Sequence, residues 1–240
     1  MSNRRKYIYV TGGKGGIGKS AMAVQLADYY SHTGNVLLID TDSVNPDSSA
    51  AFKDGLDTKV TVMQARVRSE DSSGQVDSSG LLETLNIAEK SDAETVIVDA
   101  PSGDSTLLIA AGSVIAEACR EMNVESILVW LVDSLDRTPV NTIHSAWDSI
   151  NNADKILLVK NYRKGTNFDY FDNSKAMEMI KAAPNVQIIG MPKIASRIEE
   201  HMRIDRMSWQ RIATETPLAN RIEGKRVRSE FHGTFAEAGL

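Results

Sequence analysis

The 240-residue chain is 42% hydrophobic and 25% charged, enough apolar material for a core of ordinary size, and its formal net charge of −5 excludes a protein that is basic throughout. The charge is uneven: residues 181–240 hold ten Lys/Arg against seven Asp/Glu, the rest of the chain seventeen against twenty-five. The single cysteine, Cys119, leaves no intramolecular disulfide or four-cysteine metal cluster, and fits a reducing cytoplasm.

The start, NRRKYIYV, runs directly into glycines instead of a secretory leader, and no run approaches the ~18 apolar residues of a membrane span, so the expectation is a soluble, cytoplasmic protein. In chain order, short β-branched runs predict strands at 7–11, 36–40, 59–63, 95–99, 127–132, 155–160 and 186–189. Helical stretches fall between them at 20–33, 106–122, 139–150 and 174–182. Most of the strands are almost purely apolar, as strands covered on both faces are, and the alternation of β and α predicts one doubly wound, mainly parallel α/β sheet. The polar EDSSGQVDSSG at 70–80 reads as a mobile surface loop. Beyond about residue 193 the pattern turns helical and basic, within the same single domain of 1–240. Ile198, Met202, Ile204, Met207, Trp209 and Ile212 read there as faces packed on the sheet, and Trp130, Trp147 and Trp209 as packing residues.

The chemistry concentrates in TGGKGGIGKS, from Thr11 to Ser20, directly after the first strand and opening a helix. Gly13 to Ser20 satisfies G-x-x-x-x-G-K-[ST], the P-loop spacing. Glycines let the backbone wrap a phosphate group and aim N–H groups at it, and the helix N-terminus adds partial positive charge. Lys19 would neutralise β- and γ-phosphates and the Ser20 hydroxyl would ligate Mg²⁺. Gly13, Gly15 and Gly18 also spell G-x-G-x-x-G, with Asp40 where a dinucleotide-binding protein holds a ribose. Lys19 followed by Ser20 decides for the P-loop, because a dinucleotide site needs neither. The four histidines show no zinc spacing, so no metal beyond Mg²⁺ is expected.

With Lys14 near the start of the loop, KGGIGKS resembles the deviant Walker A motif of the ParA/MinD family of P-loop ATPases, the SIMIBI class. The resemblance implies that Lys14 reaches across an ATP-dependent homodimer to the partner's nucleotide, and that Lys14, Lys19 and Asp42 form the catalytic set. ATP would be contacted by Gly13, Lys14, Gly15, Gly16, Ile17, Gly18, Lys19, Ser20 and Ala21. LLIDTDSVNPD resembles the first switch, with Asp42 orienting the attacking water. TVIVDAPSGD resembles the Walker B strand and second switch, with Pro101 and Gly103 sensing the γ-phosphate. The metal set is Ser20, Asp40 and Asp99, the last through a water. Asp104 is left out, as a solubilising loop aspartate. Asn161, which ends a strand within LLVKNYRKG, and Pro192, which ends another within IIGMPK, stand where relatives contact adenine, although each also suits a plain turn or strand end.

The wider run GKGGIGKSAMAVQLADYY with LLIDTDSVNPDSSAAFKDGL, and the later MPKI and RIDRMSW, look more like the plasmid conjugation and stability proteins called TraL or StbB. Where ParA proteins usually read Asp-Pro-Gln, this chain has Ser43, Val44 and Asn45. The resemblance implies slow turnover without a stimulating or cargo protein, and non-specific DNA held by Arg221, Lys225, Arg226 and Arg228. Three other readings stay open at this point: a MinD-like membrane-surface ATPase, a P-loop enzyme with a small-molecule acceptor, and a nucleotide-binding scaffold without hydrolysis. An iron–sulfur carrier would need more than Cys119.

Overall fold

Seven strands pair in the order β3-β2-β4-β1-β5-β6-β7, every pair parallel. They are β1 (Lys6–Thr11), β2 (Val36–Asp40), β3 (Val60–Gln64), β4 (Thr95–Asp99), β5 (Glu125–Asp133), β6 (Lys155–Asn161) and β7 (Val186–Met191). The computed structural model describes residues 4–42, 45–53, 57–67 and 77–240. Ser43, Val44 and most of the expected 70–80 loop therefore lie outside the described residues. Ser79 and Gly80, placed in that loop by composition, instead open a helix.

The helices are α1 (Lys19–Ser31), α2 (Asp47–Ala50), α3 (Ser79–Lys90), α4 (Ser105–Glu121), α5 (Thr138–Ser145), α6 (Trp147–Ile150), α7 (Asp169–Asp172), α8 (Lys175–Ala182), α9 (Ser196–Arg203), α10 (Trp209–Glu215) and α11 (Leu218–Glu237). The stretch expected as one helix at 139–150 breaks at Ala146 into α5 and α6. Ser174 and Ser208 cap α8 and α10 by accepting the N–H of Met177 and Arg211, which fixes where those helices begin.

One core lies between the sheet and α3, α4, α5, α6 and α8, built on Leu81, Leu107, Ile115, Trp130 and Ile143. The other lies under α1, α9, α10 and α11, built on Met22, Leu26, Trp209, Phe231 and Phe235. The C-terminal helices thus pack on the sheet, with Ile198, Trp209 and Ile212 fully buried, while Ile204 is left 70% exposed. Helix α1 is buried nearly all round, since the sheet covers one side and the C-terminal helices the other.

The central strand β1 lies between β4 and β5, where the chain crosses from one half of the sheet to the other. In open α/β sheets, ligands bind beyond the carboxyl ends of the strands at such a crossing. The P-loop, both switch loops, and the loops after β5 and β6 all leave the sheet at that end.

Candidate nucleotide site

The strand register brings the carboxylates together. Asp40 on β2 stands opposite Asp99 on β4, at the last paired position of each. Both are buried. Asp40 is occupied by backbone: Oδ1 accepts the Asp42 N–H at 3.1 Å and Oδ2 accepts the Ser49 N–H at 2.9 Å, so it organises the first switch and α2. Neither oxygen of Asp99 has a hydrogen-bond partner among the described residues. Burial, then the charge of Asp40, push the Asp99 carboxyl up to about 7, and Ser48, Ser20 and Lys19 close by offset the rise only in part. An orphaned buried carboxylate beside a P-loop serine suits a hard divalent cation, whose charge removes the cost of keeping it ionised.

Above this floor, Lys19 bends back over the loop and its Nζ donates to the Lys14 carbonyl at 2.8 Å. Gly18 caps α1 at φ 103°, and a Cβ there would stand 2.8 Å from Asn161 Nδ2. Gly18→Ala is expected to weaken nucleotide binding and cost at least about 1 kcal/mol of stability, since the loop must re-fold around a conformation that side chains disfavour. Titrating nucleotide into the variant and melting it checks this; wild-type values in both would contradict it.

A cavity of about 360 Å³ runs from Gly15, Gly16, Gly18, Lys19, Ser20 and Ala21 past Asp42 and Ser102 to Arg163, Met202, Arg203 and Met207. Asp42 faces it from the first switch, its Oδ1 accepting the Asn45 N–H at 2.9 Å. Asn161 and Pro192 do not line it. Asn161 is buried, its Nδ2 donating to the Ile17 carbonyl at 2.7 Å and its Oδ1 accepting from the Arg163 N–H at 3.0 Å, so it braces the P-loop from β6. Lys14 is also outside the lining. Its ammonium pairs with Asp136 on the loop after β5, and its side chain stays 45% exposed.

The far end of the cavity was not legible in the sequence as part of the site. Met202 and Met207 read as packing residues, and only the fold turns them toward the P-loop. Arg163, held by Glu199 at 2.9 Å, lies within LLVKNYRKG, where the resemblance points to Asn161 and not to the arginine. Asp104 is a second omission and a correction: far from being solvated, it is fully buried beneath the P-loop. Two members of the basic C-terminal set are engaged within the chain. Arg228 is taken by buried Asp28, and Arg226 by Glu223 and Glu230, which leaves Arg221 and Lys225 without an ion-pair partner among the described residues.

Comparison with known proteins agrees with this fold. Residues 8–225 match the model of the CobQ/CobB/MinD/ParA nucleotide-binding domain. Protein MobD of Acidithiobacillus ferrooxidans is 26% identical over 229 residues, covering 94% of each chain. Two solved structures share the fold. A putative plasmid partition protein of Borrelia burgdorferi bound to AMPPNP has TM-score 0.57 at 14% identity, over 95% of this chain and 98% of its own. The MinD cell division protein of Aquifex aeolicus has TM-score 0.52 at 15% identity, over 95% and 97%. A P-loop at the crossing point of an all-parallel sheet, together with a family match across nearly the whole chain, places this protein in the CobQ/CobB/MinD/ParA nucleotide-binding family.

Proposed function

We propose that the protein is an ATP-dependent dimer switch that hydrolyses ATP slowly and serves plasmid or DNA segregation, stability or conjugative transfer. The observation that carries this reading is the outward placement of Lys14. A P-loop lysine that does not line its own cavity, and rests on an exposed loop beside Leu135, itself 74% exposed, is set to meet a second subunit. On this reading ATP binds with its phosphates on Gly13 to Ala21 and its base against Met202, Met207 and Arg163. Ser20, Asp40 and Asp99 would hold Mg²⁺, which supplies charge neutralisation for the phosphates when bound. Lys19 neutralises the phosphates from the loop, and Asp42 orients the attacking water. Asn161 acts as the P-loop brace rather than as a reader of adenine.

The resemblance to TraL and StbB and the likeness to a plasmid partition protein support the process assigned. With Arg226 and Arg228 engaged, DNA contact falls to Arg221 and Lys225, and dimerisation doubles that small patch. A membrane-surface role is less well supported. No helix among the described residues is long and apolar enough to cross a membrane, and Phe231 and Phe235 of α11 are buried in the core, so they present no apolar face to a bilayer.

The test is the solution mass of wild type and Lys14→Ala with no nucleotide, ADP, ATP and a slowly hydrolysed ATP analogue. Wild type should double in mass with ATP and the analogue alone, and Lys14→Ala should stay monomeric while still binding ATP. A wild-type mass indifferent to ATP, with nucleotide bound, would instead favour a P-loop enzyme acting on a small acceptor.

A further inference from the structure

The second-switch loop ends at Asp104, immediately before α4. Its side chain is fully buried. Oδ2 accepts two hydroxyls from β1, Thr11 at 2.6 Å and Tyr9 at 3.0 Å. The Thr11 hydroxyl oxygen in turn accepts the Gly12 N–H at 2.6 Å, at the entry to the phosphate loop. Oδ1 has no partner among the described residues.

Helix capping does not account for this residue, because Asp104 stands at the N-cap of α4 without any side-chain bond to the helix. Core packing does not account for it either. A carboxylate taken out of water costs stability, and two neutral hydroxyls on one of its oxygens offset only part of that cost. What the contacts do achieve is a connection. They join the residue after Gly103, whose φ is +77°, to the peptide that begins the P-loop, through side chains with no room to move.

We propose that Asp104 is a positioning residue that tethers the second switch to the P-loop through Thr11, so that the protein distinguishes ATP from ADP. The inference rests on the ATP-switch reading above. In the tethered state the Gly103 peptide and the P-loop amides keep one relative position, and a terminal phosphate meets both at once. ADP, without that phosphate, uses the P-loop alone and is indifferent to the tether.

Affinities for ADP and for a slowly hydrolysed ATP analogue, with kcat and KM for ATP, test this in four variants. Asp104→Ala should lose about tenfold of its preference for the ATP analogue and of kcat, while ADP affinity stays within about threefold. Thr11→Val should behave the same way, which keeps the test open if Asp104→Ala folds poorly. Asp104→Asn, whose Oδ1 can accept both hydroxyls, should recover most of the wild-type preference. Tyr9→Phe, which removes the hydroxyl on the core side, should lower stability and leave the preference intact. If both nucleotides weaken together in Asp104→Ala and Thr11→Val, or if Asp104→Asn is as impaired as Asp104→Ala, the tether is overturned and Asp104 is only structural. A wild-type preference for ATP that survives in Asp104→Ala and Thr11→Val overturns this inference alone; a wild type without any preference overturns the switch reading along with it.

Discussion

Asp99→Asn should be more stable than the wild type at pH 8 and nearly inactive. The two effects have one cause. Parallel register sets Asp40 and Asp99 side by side at the ends of β2 and β4, both buried, and backbone N–H groups occupy Asp40 while neither Asp99 oxygen has a hydrogen-bond partner among the described residues. The Asp99 carboxyl consequently titrates at about 7 in the folded protein, against an ordinary value of 3.8. Between those two values the folded protein holds a proton that the unfolded chain has released. Stability therefore falls as pH rises across that window, by at most roughly 1.4 kcal/mol per pH unit. Asparagine has no charge to bury, so without Mg²⁺ and nucleotide the variant should melt above the wild type at pH 8, and the gap should close toward pH 4. Mg²⁺ with nucleotide should raise the wild-type melting temperature more than the variant's. Turnover should drop about 10–100-fold, the usual cost of losing a group that orders a metal's water. Melting curves at pH 4, 6 and 8 that run parallel for the two proteins would contradict the assignment.

The parts of this site that were legible in the sequence are those whose chemistry is local. Gly13 to Ser20 bends, donates and caps within eight residues, so its spacing alone specifies what it can hold. Asp40 and Asp99 were legible for a related reason. Each ends an apolar run, and a carboxylate after four buried strand residues is recognisable before its neighbour across the sheet is known. All seven strands appear within two residues of their expected bounds, because strands covered on both faces leave continuous apolar runs. Helix α3 was not recognised, since its entry is masked by the Ser/Gly composition of the residues before it.

What could not be read depends on pairings between distant residues. Asp104 sits in a loop by composition, and only the three-dimensional position of Tyr9 and Thr11, more than ninety residues away, makes it a core residue. Asn161 has the same character. Its partner, the Ile17 carbonyl, is 144 residues distant, so its bond to the P-loop backbone has no local signature. In the basic C-terminal quarter, a count of charges does not say which ones are already paired within the chain. Arg226 is spent locally on Glu223 and Glu230, which a helical i, i+3, i+4 pattern discloses. Arg228 is spent 200 residues away, which no pattern discloses.

Arg228→Ala should accordingly be among the most destabilising single changes outside the P-loop, whereas Arg226→Ala should have no measurable effect. Asp28 lies in α1, nine residues beyond Lys19, and its carboxylate is buried. Arg228 grips it with Nε at 2.7 Å and Nη2 at 2.8 Å, while Nη1 donates to Gln210 at 3.1 Å. His232 Nε2 lies 2.8 Å from the same carboxylate. Removing the guanidinium strands a buried charge, and breaking such a pair typically costs about 3–5 kcal/mol. Arg226 is exposed to solvent, which screens its two ion pairs. Urea unfolding of the three proteins separates these cases. The midpoint of Arg228→Ala should fall far below the others at an unchanged denaturant slope. Replacing both partners, Asp28→Leu with Arg228→Met, should recover most of the loss, because the penalty comes from the orphaned charge and not from missing attraction. Equal midpoints for Arg226→Ala and Arg228→Ala would mean that α11 is not locked to the P-loop helix through Asp28, and would return Arg228 to the surface available to DNA.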